Sequence, residues 1–116
     1  MYLQIEDPSE VPLPPEDVRI KAVDFQPYPD RRRVRLTLKL TPFQTPPNIA
    51  LTVMDAREKE VSSLSVIGAT EATMSLTIHI RDPKAKEPLR VLLVVGYEEQ
   101  GTVDEREETL MLGEGE

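Results

Sequence analysis

Hydrophobic and polar residues alternate along most of the chain. The clearest example is residues 33–40, where Val34, Leu36, Leu38 and Leu40 are separated by arginine, threonine and lysine. Successive side chains of a β-strand point to opposite faces of a sheet, so this alternation predicts a strand with one buried and one solvated face. No stretch of about ten residues has hydrophobic residues at the i, i+3, i+4, i+7 spacing of an amphipathic helix. The pattern therefore predicts an all-β protein.

The alternation recurs in six further segments that are separated by turn-forming residues. They lie at about residues 18–25, 49–53, 61–67, 74–80 and, as a final hairpin, 90–112. The hydrophobic residues change parity at Val23 and Phe25, which predicts a β-bulge or a bend in the first strand. Seven short strands with turn signals at regular spacing predict an antiparallel β-sandwich.

The chain of 116 residues has the length of a single domain, and we divide it into three parts. Residues 1–16 form an extended Pro-rich N-terminal lead, residues 17–112 the β-sandwich and residues 113–116 an acidic tail. Four prolines among acidic residues in "PSEVPLPPED" favour an extended backbone. The segment Pro12 to Pro15 also satisfies the loose pattern of an SH3 ligand. Its flanks are acidic where such ligands are basic, so we interpret it as a linker.

The number and spacing of the strands resemble an immunoglobulin-like or fibronectin type III-like domain. The resemblance rests on the strand count, the hairpin at residues 49–67 and the closing hairpin at residues 90–112. It implies a seven-stranded antiparallel immunoglobulin-like β-sandwich. The chain lacks the cysteine pair, the core Trp on the third strand and the corner Tyr near the start of the sixth. The subfamily therefore stays open.

The closing hairpin is built unevenly, because "RVLLVVGY" is apolar on both faces whereas "TVDEREETL" is mostly charged. In an immunoglobulin-like domain the sixth strand lies inside its sheet, and the seventh lies at an edge. An edge strand exposes unpaired backbone groups to other chains, and charges along it discourage aggregation. We therefore expect the sixth strand to be central and Asp104 to Glu108 to protect an edge.

The charge and composition exclude several functions. The formal net charge is −7, with 14 Lys and Arg against 21 Asp and Glu, which argues against binding to nucleic acid or anionic membranes. The chain has no cysteine, so disulfides, thiolate nucleophiles and thiolate metal sites are excluded. No segment approaches the roughly 20 apolar residues that cross a bilayer, and the N-terminus is not a secretory signal. These features predict a cytoplasmic protein.

Three groups of residues carry side chains that could take part in chemistry. His79 is the only histidine and alternation puts it on an outer face, so we interpret it as an ordinary surface residue. The arginines of "DRRRVR" are interpreted as a polar strand start. An acidic set at the tip of the last hairpin lacks the spacing of a calcium loop and is interpreted as a solvated turn. This acidic set consists of Glu98, Glu99, Asp104 and Glu105. We assign no catalytic, cofactor or metal residue.

These observations predict a non-catalytic interaction or spacer module. The alternative is an accessory domain that binds carbohydrate or calcium through the loops around Phe43 and Glu98 to Glu105. A surface Phe43 or Tyr28 beside a groove favours the alternative, whereas burial of these rings argues against it. We expect a protein partner or self-association, without nucleic acid, a membrane or a cofactor, and we do not expect a small-molecule ligand.

A candidate interface follows from the sixth strand. If Val91, Leu93 and Val95 fill the core, Leu92 and Val94 lie on the outer face of the sheet. The neighbouring third strand adds Ala50 and Met54 to this apolar patch, and soluble monomers seldom leave a large patch bare. We expect either the N-terminal residues Tyr2, Leu3 and Ile5 or a second copy of the chain to cover it.

Sandwich topology also predicts a separation of charge. The loops at residues 41–48, 68–73 and 98–105 should meet at one end and contain acidic residues without Lys or Arg. The opposite end should gather basic residues among fewer acids. These basic residues are Arg31, Arg32, Arg33, Arg57, Lys59, Arg81, Lys84 and Lys86.

Overall fold

The structure is a computed structural model that describes residues 11–113. This range contains one short 3-10 turn at Pro15–Asp17 and seven β-strands, which confirms the predicted all-β class. The strands are β1 (Ile20–Pro27), β2 (Arg33–Leu40), β3 (Asn48–Met54), β4 (Glu60–Val66), β5 (Thr73–His79), β6 (Leu89–Tyr97) and β7 (Gly101–Leu110). Within the described range no helix is long and apolar enough to cross a membrane.

The strands form two antiparallel sheets with the orders β1-β2-β5 and β4-β3-β6-β7. The predicted hairpin of the third and fourth strands is present. β6 lies inside the four-stranded sheet and β7 lies at its edge, as the immunoglobulin-like resemblance implies for the closing hairpin. A turn of three residues, 98–100, joins these two strands. Gly101, the first residue of β7, has a φ of 73°, a left-handed conformation that glycine adopts without strain.

The inner faces of the two sheets share one aliphatic core. β2 shows the alternation most clearly, because each of its four predicted inward residues is at most 1% exposed. The facing sheet supplies alternate residues of its two central strands. The buried residues on β3 and β6 are Ile49, Leu51, Val53, Leu89, Val91, Leu93, Val95 and Tyr97.

The first strand contains the irregularity that its sequence predicts. The pairing with β2 shifts register between Ile20 and Ala22. Ile20 is buried, and after the shift Val23 and Phe25 become the residues that pack against the core. The change of parity therefore marks a β-bulge, which lets both parts of the strand direct hydrophobic residues inward.

The part of the predicted N-terminal lead that is described does not stand away from the domain. Leu13 donates its backbone N–H to the carbonyl of Pro42 at 3.0 Å and accepts the N–H of Gln44 at 2.9 Å. It forms an isolated parallel bridge with Phe43 in the β2–β3 loop. Backbone hydrogen bonds therefore attach the chain to the sandwich before residue 17. They are possible because the prolines of the lead keep their carbonyl acceptors and Leu13 keeps its N–H donor.

The β2–β3, β4–β5 and β6–β7 loops meet at one end, which confirms their predicted grouping. Gly68 donates its N–H to Oδ1 of Asn48 at 2.9 Å, and the Tyr97 hydroxyl donates to the carbonyl of Thr45 at 2.8 Å. The acidic residues Glu98 and Glu99 are exposed at this end.

The other loops meet at the opposite end of the sandwich, together with the predicted basic residues. Most of these basic residues form ion pairs with acidic side chains. Arg31 contacts Glu87 at 3.0 Å, and Arg81 contacts Glu60 at 3.4 Å. Lys59 contacts Asp82 at 3.1 Å. Ion pairing therefore reduces the positive potential of this end below what a count of Lys and Arg suggests.

Candidate interaction surfaces

The four described residues of the predicted interface lie on one face. Ala50 is directly opposite Val94 in the β3–β6 pairing, and Leu92 is opposite Thr52 two residues along. Met54 follows on the same face of β3 and is half-buried. Leu92 is 39% exposed, although its neighbours Val91 and Leu93 are completely buried. The structure thus brings together the apolar patch on the outer face of the four-stranded sheet, which we call the outer-face patch.

The other three predicted interface residues, Tyr2, Leu3 and Ile5, lie outside the described residues. Whether they cover the outer-face patch stays a prediction.

Polar residues border the outer-face patch on both sides. Glu105 and Glu107 on β7 are opposite Val94 and Leu92, and Arg90 reaches Glu58 at 3.0 Å from its terminal nitrogen. On the other side, the patch is bordered by the side chains of Ser63 and Ser65 on β4. The patch therefore has an apolar centre and a polar rim, which is the usual anatomy of a protein interface.

A close backbone approach shapes the end of the outer-face patch near the loops. A Cβ atom at Gly96 would lie 2.9 Å from the carbonyl oxygen of Gly101, so only glycine fits there. The missing side chain leaves a shallow depression of about 290 Å³ that Ala50, Val94 and Ile67 help to line. Ile67 is 79% exposed and is the most exposed large hydrophobic residue of the described range.

The two aromatic residues of the alternative binding site lie at opposite ends of the molecule. Phe43 is in the β2–β3 loop, where it is half-buried and packs against the core. Tyr28 follows β1 at the other end, and the guanidinium of Arg33 lies 4.4 Å from the centre of its ring. Tyr28 is half-buried and lines a depression of about 250 Å³ with Gln26, Pro27, Pro29 and Arg35. The two rings do not share a groove.

The predicted acidic set does not converge. Glu98 and Glu99 are exposed on the β6–β7 turn, Asp104 turns toward β1, and Glu105 lies on the outer face. In residues 11–113 no group of three or more His, Cys, Asp or Glu side chains is arranged to hold a metal ion. Tyr97 lines a second depression, of about 430 Å³, beside Glu98 and Glu99, and burial raises the pKa of its hydroxyl.

His79 is exposed at the end of β5, as predicted. It pairs in register with Arg33, whose Nε contacts Asp30 at 2.9 Å.

A buried aspartate connects two loops at the basic end of the fold, and the sequence analysis did not predict it. Asp55 is fully buried at the end of β3, and its Oδ2 accepts hydrogen bonds from Nε and the terminal nitrogen of Arg57 at 2.9 and 2.7 Å. Its Oδ1 accepts the backbone N–H groups of Arg57 and Lys59, and Oδ2 also accepts that of Lys86 at 3.3 Å. One carboxylate therefore joins the β3–β4 turn to the β5–β6 loop.

The electrostatics of Asp55 follow from these contacts. Burial opposes its ionisation, but the Arg57 side chain and the N–H groups of Lys59 and Lys86 outweigh burial and hold its pKa well below the usual 3.8. A signal was present in "DAREKE", since an aspartate at the first position of a turn commonly accepts N–H groups that follow it. The bond to Lys86, 31 residues away, has no local signal.

Charged side chains of β7 form hydrogen bonds to β1 at the side of the sandwich where these two edge strands lie. Asp104 Oδ2 accepts the backbone N–H of Ile20 at 2.8 Å, and Arg106 donates to the carbonyl of the same residue at 3.3 Å. Both side chains point inward in the register, opposite Val95 and Leu93. The charges of β7 therefore connect the two sheets as well as protecting an edge.

We expect Asp104→Ala to lower the free energy of unfolding by about 1 to 2 kcal/mol, because the N–H of Ile20 loses a charged acceptor. The matched control is Glu105→Ala on the outer face of the same strand, which should change it by less than about 0.5 kcal/mol. Urea unfolding measures both variants. Equal losses in the two variants would show that the bridge between the sheets is not what Asp104 contributes.

Comparisons with known proteins give no family. No protein-family model matches the chain, and no curated protein matches it at a significant level. Among solved structures, a β-glucuronidase from Ruminococcus gnavus in complex with N1-substituted uronic isofagomine is 13% identical with a TM-score of 0.48. The matched region covers 83% of this chain and 16% of that chain. The apo structure of the same enzyme, also 13% identical with the same coverage, has a TM-score of 0.47.

Proposed function

We propose that this chain is a non-catalytic interaction module of the immunoglobulin-like or fibronectin type III-like kind. The strand order supports this assignment, because immunoglobulin-like domains place their first, second and fifth strands in one sheet opposite the third, sixth and seventh. In this chain the fourth strand pairs with the third, whereas the immunoglobulin constant type places its fourth strand in the sheet of the first, second and fifth. Fold alone does not give function, so the proposal depends on the surface.

The observation that carries the proposal is the outer-face patch. Leu92 and Val94 stand on a regular, well-packed sheet, whose rigidity preorganises the surface for binding. The apolar centre supplies buried area when a partner docks, and the rim of Glu105, Glu107 and Arg90 supplies orientation.

The carboxyl groups with a lowered pKa in residues 11–113 are held by structural partners. The shifted carboxyl groups belong to Asp30, Asp55 and Asp82, and each accepts hydrogen bonds from the backbone of its own turn. Their lowered pKa values reflect these bonds and nearby Arg and Lys, with burial opposing them. Catalytic acids and bases more often have a pKa moved toward neutrality inside a pocket. The alternative of a carbohydrate or calcium module has less support at its predicted loops, since Phe43 packs against the core, and its remaining support is the depression beside Tyr28 at the other end.

The test compares three proteins: the wild type, a chain that lacks residues 1–7, and Leu92→Arg. Denaturant unfolding and light scattering across concentration are measured for each. Cover by the N-terminal residues predicts that the deletion lowers stability or promotes association. Cover by a second copy predicts that Leu92→Arg is monomeric where the wild type is not. If neither change alters stability or mass, the outer-face patch has no binding role within this chain and the proposal loses its main support.

A further inference from the structure

The two open sides of the sandwich have very different edge strands. On one side β1 and β7 carry seven charged residues and are bridged through Ile20. On the other side, Glu60 is the one formally charged residue of β4 and β5 together. Neither β4 nor β5 contains proline. Natural sheets commonly protect an edge with charge, proline or a β-bulge. A register shift interrupts the start of β4, but residues 62–66 pair regularly with β3 and carry no charge or proline, so this part of the edge lacks the usual protection against strand addition.

Alternate backbone N–H and C=O groups of β4 point toward this open side, away from β3. The carbonyl of Val61 points away from β3, because it accepts the N–H of Arg81 at 3.0 Å. The N–H of Asp55 donates to the carbonyl of Lys59, so alternation along β3 directs the backbone groups of Thr52 and Ala50 away from β4. Their partners on β4 are Ser63 and Ser65, whose backbone groups therefore face the open side. Both serines are exposed, and no other backbone hydrogen bond from outside the sheet reaches β4 within residues 11–113.

A line of half-buried hydrophobic residues runs beneath this edge. Leu64 and Val66 of β4 lie beside Met74 and Leu76 of β5, and all four pack against the core without being fully enclosed. A depression of about 140 Å³ lies between Val66, Met74 and Leu76. A strand that pairs with β4 would extend the inner sheet surface over these side chains and remove them from water.

The charges at the two ends of β4 favour a second copy of this chain as the added strand. Lys59 and Arg81 lie at the start of β4 with side chains about 60% exposed, although each contacts one acid. Glu71 is exposed in the loop after β4. A two-fold axis through the middle of β4 makes the pairing antiparallel, so Lys59 and Arg81 of each copy approach Glu71 of the other.

We propose that β4 is a self-association edge, which pairs antiparallel with β4 of a second copy to form a continuous eight-stranded sheet. The proposal deepens the proposed interaction role, on which it rests, by naming the partner. It uses the outward backbone groups of Ser63 and Ser65 and not the apolar centre of the outer-face patch, which the side chains of these serines border. Contact along a single strand buries less than a standard interface, so we expect an affinity in the micromolar to millimolar range.

Sedimentation velocity of the full chain across concentration tests the proposal. The wild type should shift from 13.1 kDa toward twice that mass. Ser65→Pro removes an outward N–H and should weaken the dimer at least about tenfold, the equivalent of losing about 1.4 kcal/mol. Ser65→Lys places like charges near the axis and should act similarly. Thr102→Lys, on the opposite edge of the same sheet, is the matched control and should leave the dimer unchanged.

Two results would overturn the proposal. One is a wild type that stays monomeric up to about 1 mM, the weak end of the affinity range. The other is a dimer that survives both Ser65→Pro and Ser65→Lys. If such a dimer were abolished by Leu92→Arg, the outer-face patch would be the interface, so the proposed function would stand while this inference fails. Thermal unfolding at low concentration verifies that each variant is folded.

Disulfide trapping tests the antiparallel register, since the chain has no cysteine of its own. Opposite residues in an antiparallel pair lie about 4.5 to 5.5 Å apart between Cα atoms, which a disulfide spans. A residue on the two-fold axis lies opposite its own copy. Of Ser63→Cys, Leu64→Cys and Ser65→Cys, one should therefore form a covalent dimer much faster than Thr102→Cys. Equal rates for all four variants would contradict antiparallel pairing of β4.

Discussion

Replacing Asp55 by asparagine should lower the melting temperature at pH 7 by about 10 °C or more, because a buried hydrogen-bond network is broken. Asp55 is fully buried and accepts five hydrogen bonds from three residues. An amide of nearly the same shape can accept through only one of its two terminal atoms. Arg57 would also lose its buried counter-charge, and the β3–β4 turn would lose its connection to Lys86.

The effect should depend on pH in a direction that the lowered pKa fixes. The carboxyl of Asp55 titrates near 3.8 when unfolded and at a lower pH when folded. Its ionised form therefore contributes stability that is fully present above pH 4 or so and is lost as the pH falls toward the folded-state pKa. The difference in melting temperature between wild type and Asp55→Asn should be largest at pH 7 and should shrink between about pH 4 and pH 2.

Asp30→Asn is the matched control. Asp30 also accepts two backbone N–H groups of its own turn and contacts an arginine, but its side chain is 39% exposed. Water replaces lost hydrogen bonds at an exposed site, so the loss should be a few degrees at most. A loss for Asp30→Asn as large as that for Asp55→Asn would contradict the role of burial, and a pH-independent difference for Asp55 would contradict the assigned ionisation.

The architecture was predictable where one face of a strand is buried and the other solvated. In β2 each side chain has a single compatible environment, so the alternation from Val34 to Leu40 determined both the strand and its inward residues. The uneven hairpin was also informative. The immunoglobulin-like resemblance implied a central sixth strand, and the charged composition of β7 matched its edge position.

The remaining contacts depend on which residues the fold brings together. Asp104 and Ile20 are 84 residues apart, and nothing in either segment distinguishes an inward aspartate from the outward Glu105 beside it. The hydrogen bond between Asp55 and Lys86 likewise joins segments that are distant in sequence and has no local signal. The exposed edge of β4 became visible only once the sheet order was known, because an uncharged strand is ordinary inside a sheet and unusual at its border.

The outer-face patch was predictable for the same reason as the core. Once Val91, Leu93 and Val95 are assigned inward, alternation leaves no other place for Leu92 and Val94, and the register then brings Ala50 beside them. Sequence alone does not tell how exposed such residues are. Leu92, at 39% exposure, is partly covered by its neighbours on the sheet, so its contribution to stability has to be measured.

Two adjacent leucines on β6 provide that measurement. Leu93 is fully buried, and Leu93→Ala should lower the free energy of unfolding by about 2 to 5 kcal/mol through lost burial and the cavity that remains. Leu92→Ala removes the same atoms from the outer face and should cost less than about 1 kcal/mol. Urea unfolding at low protein concentration compares them without contributions from association. A cost for Leu92→Ala that approaches that of Leu93→Ala would mean that the chain itself covers the outer-face patch, since a residue bare in the monomer has little burial to lose.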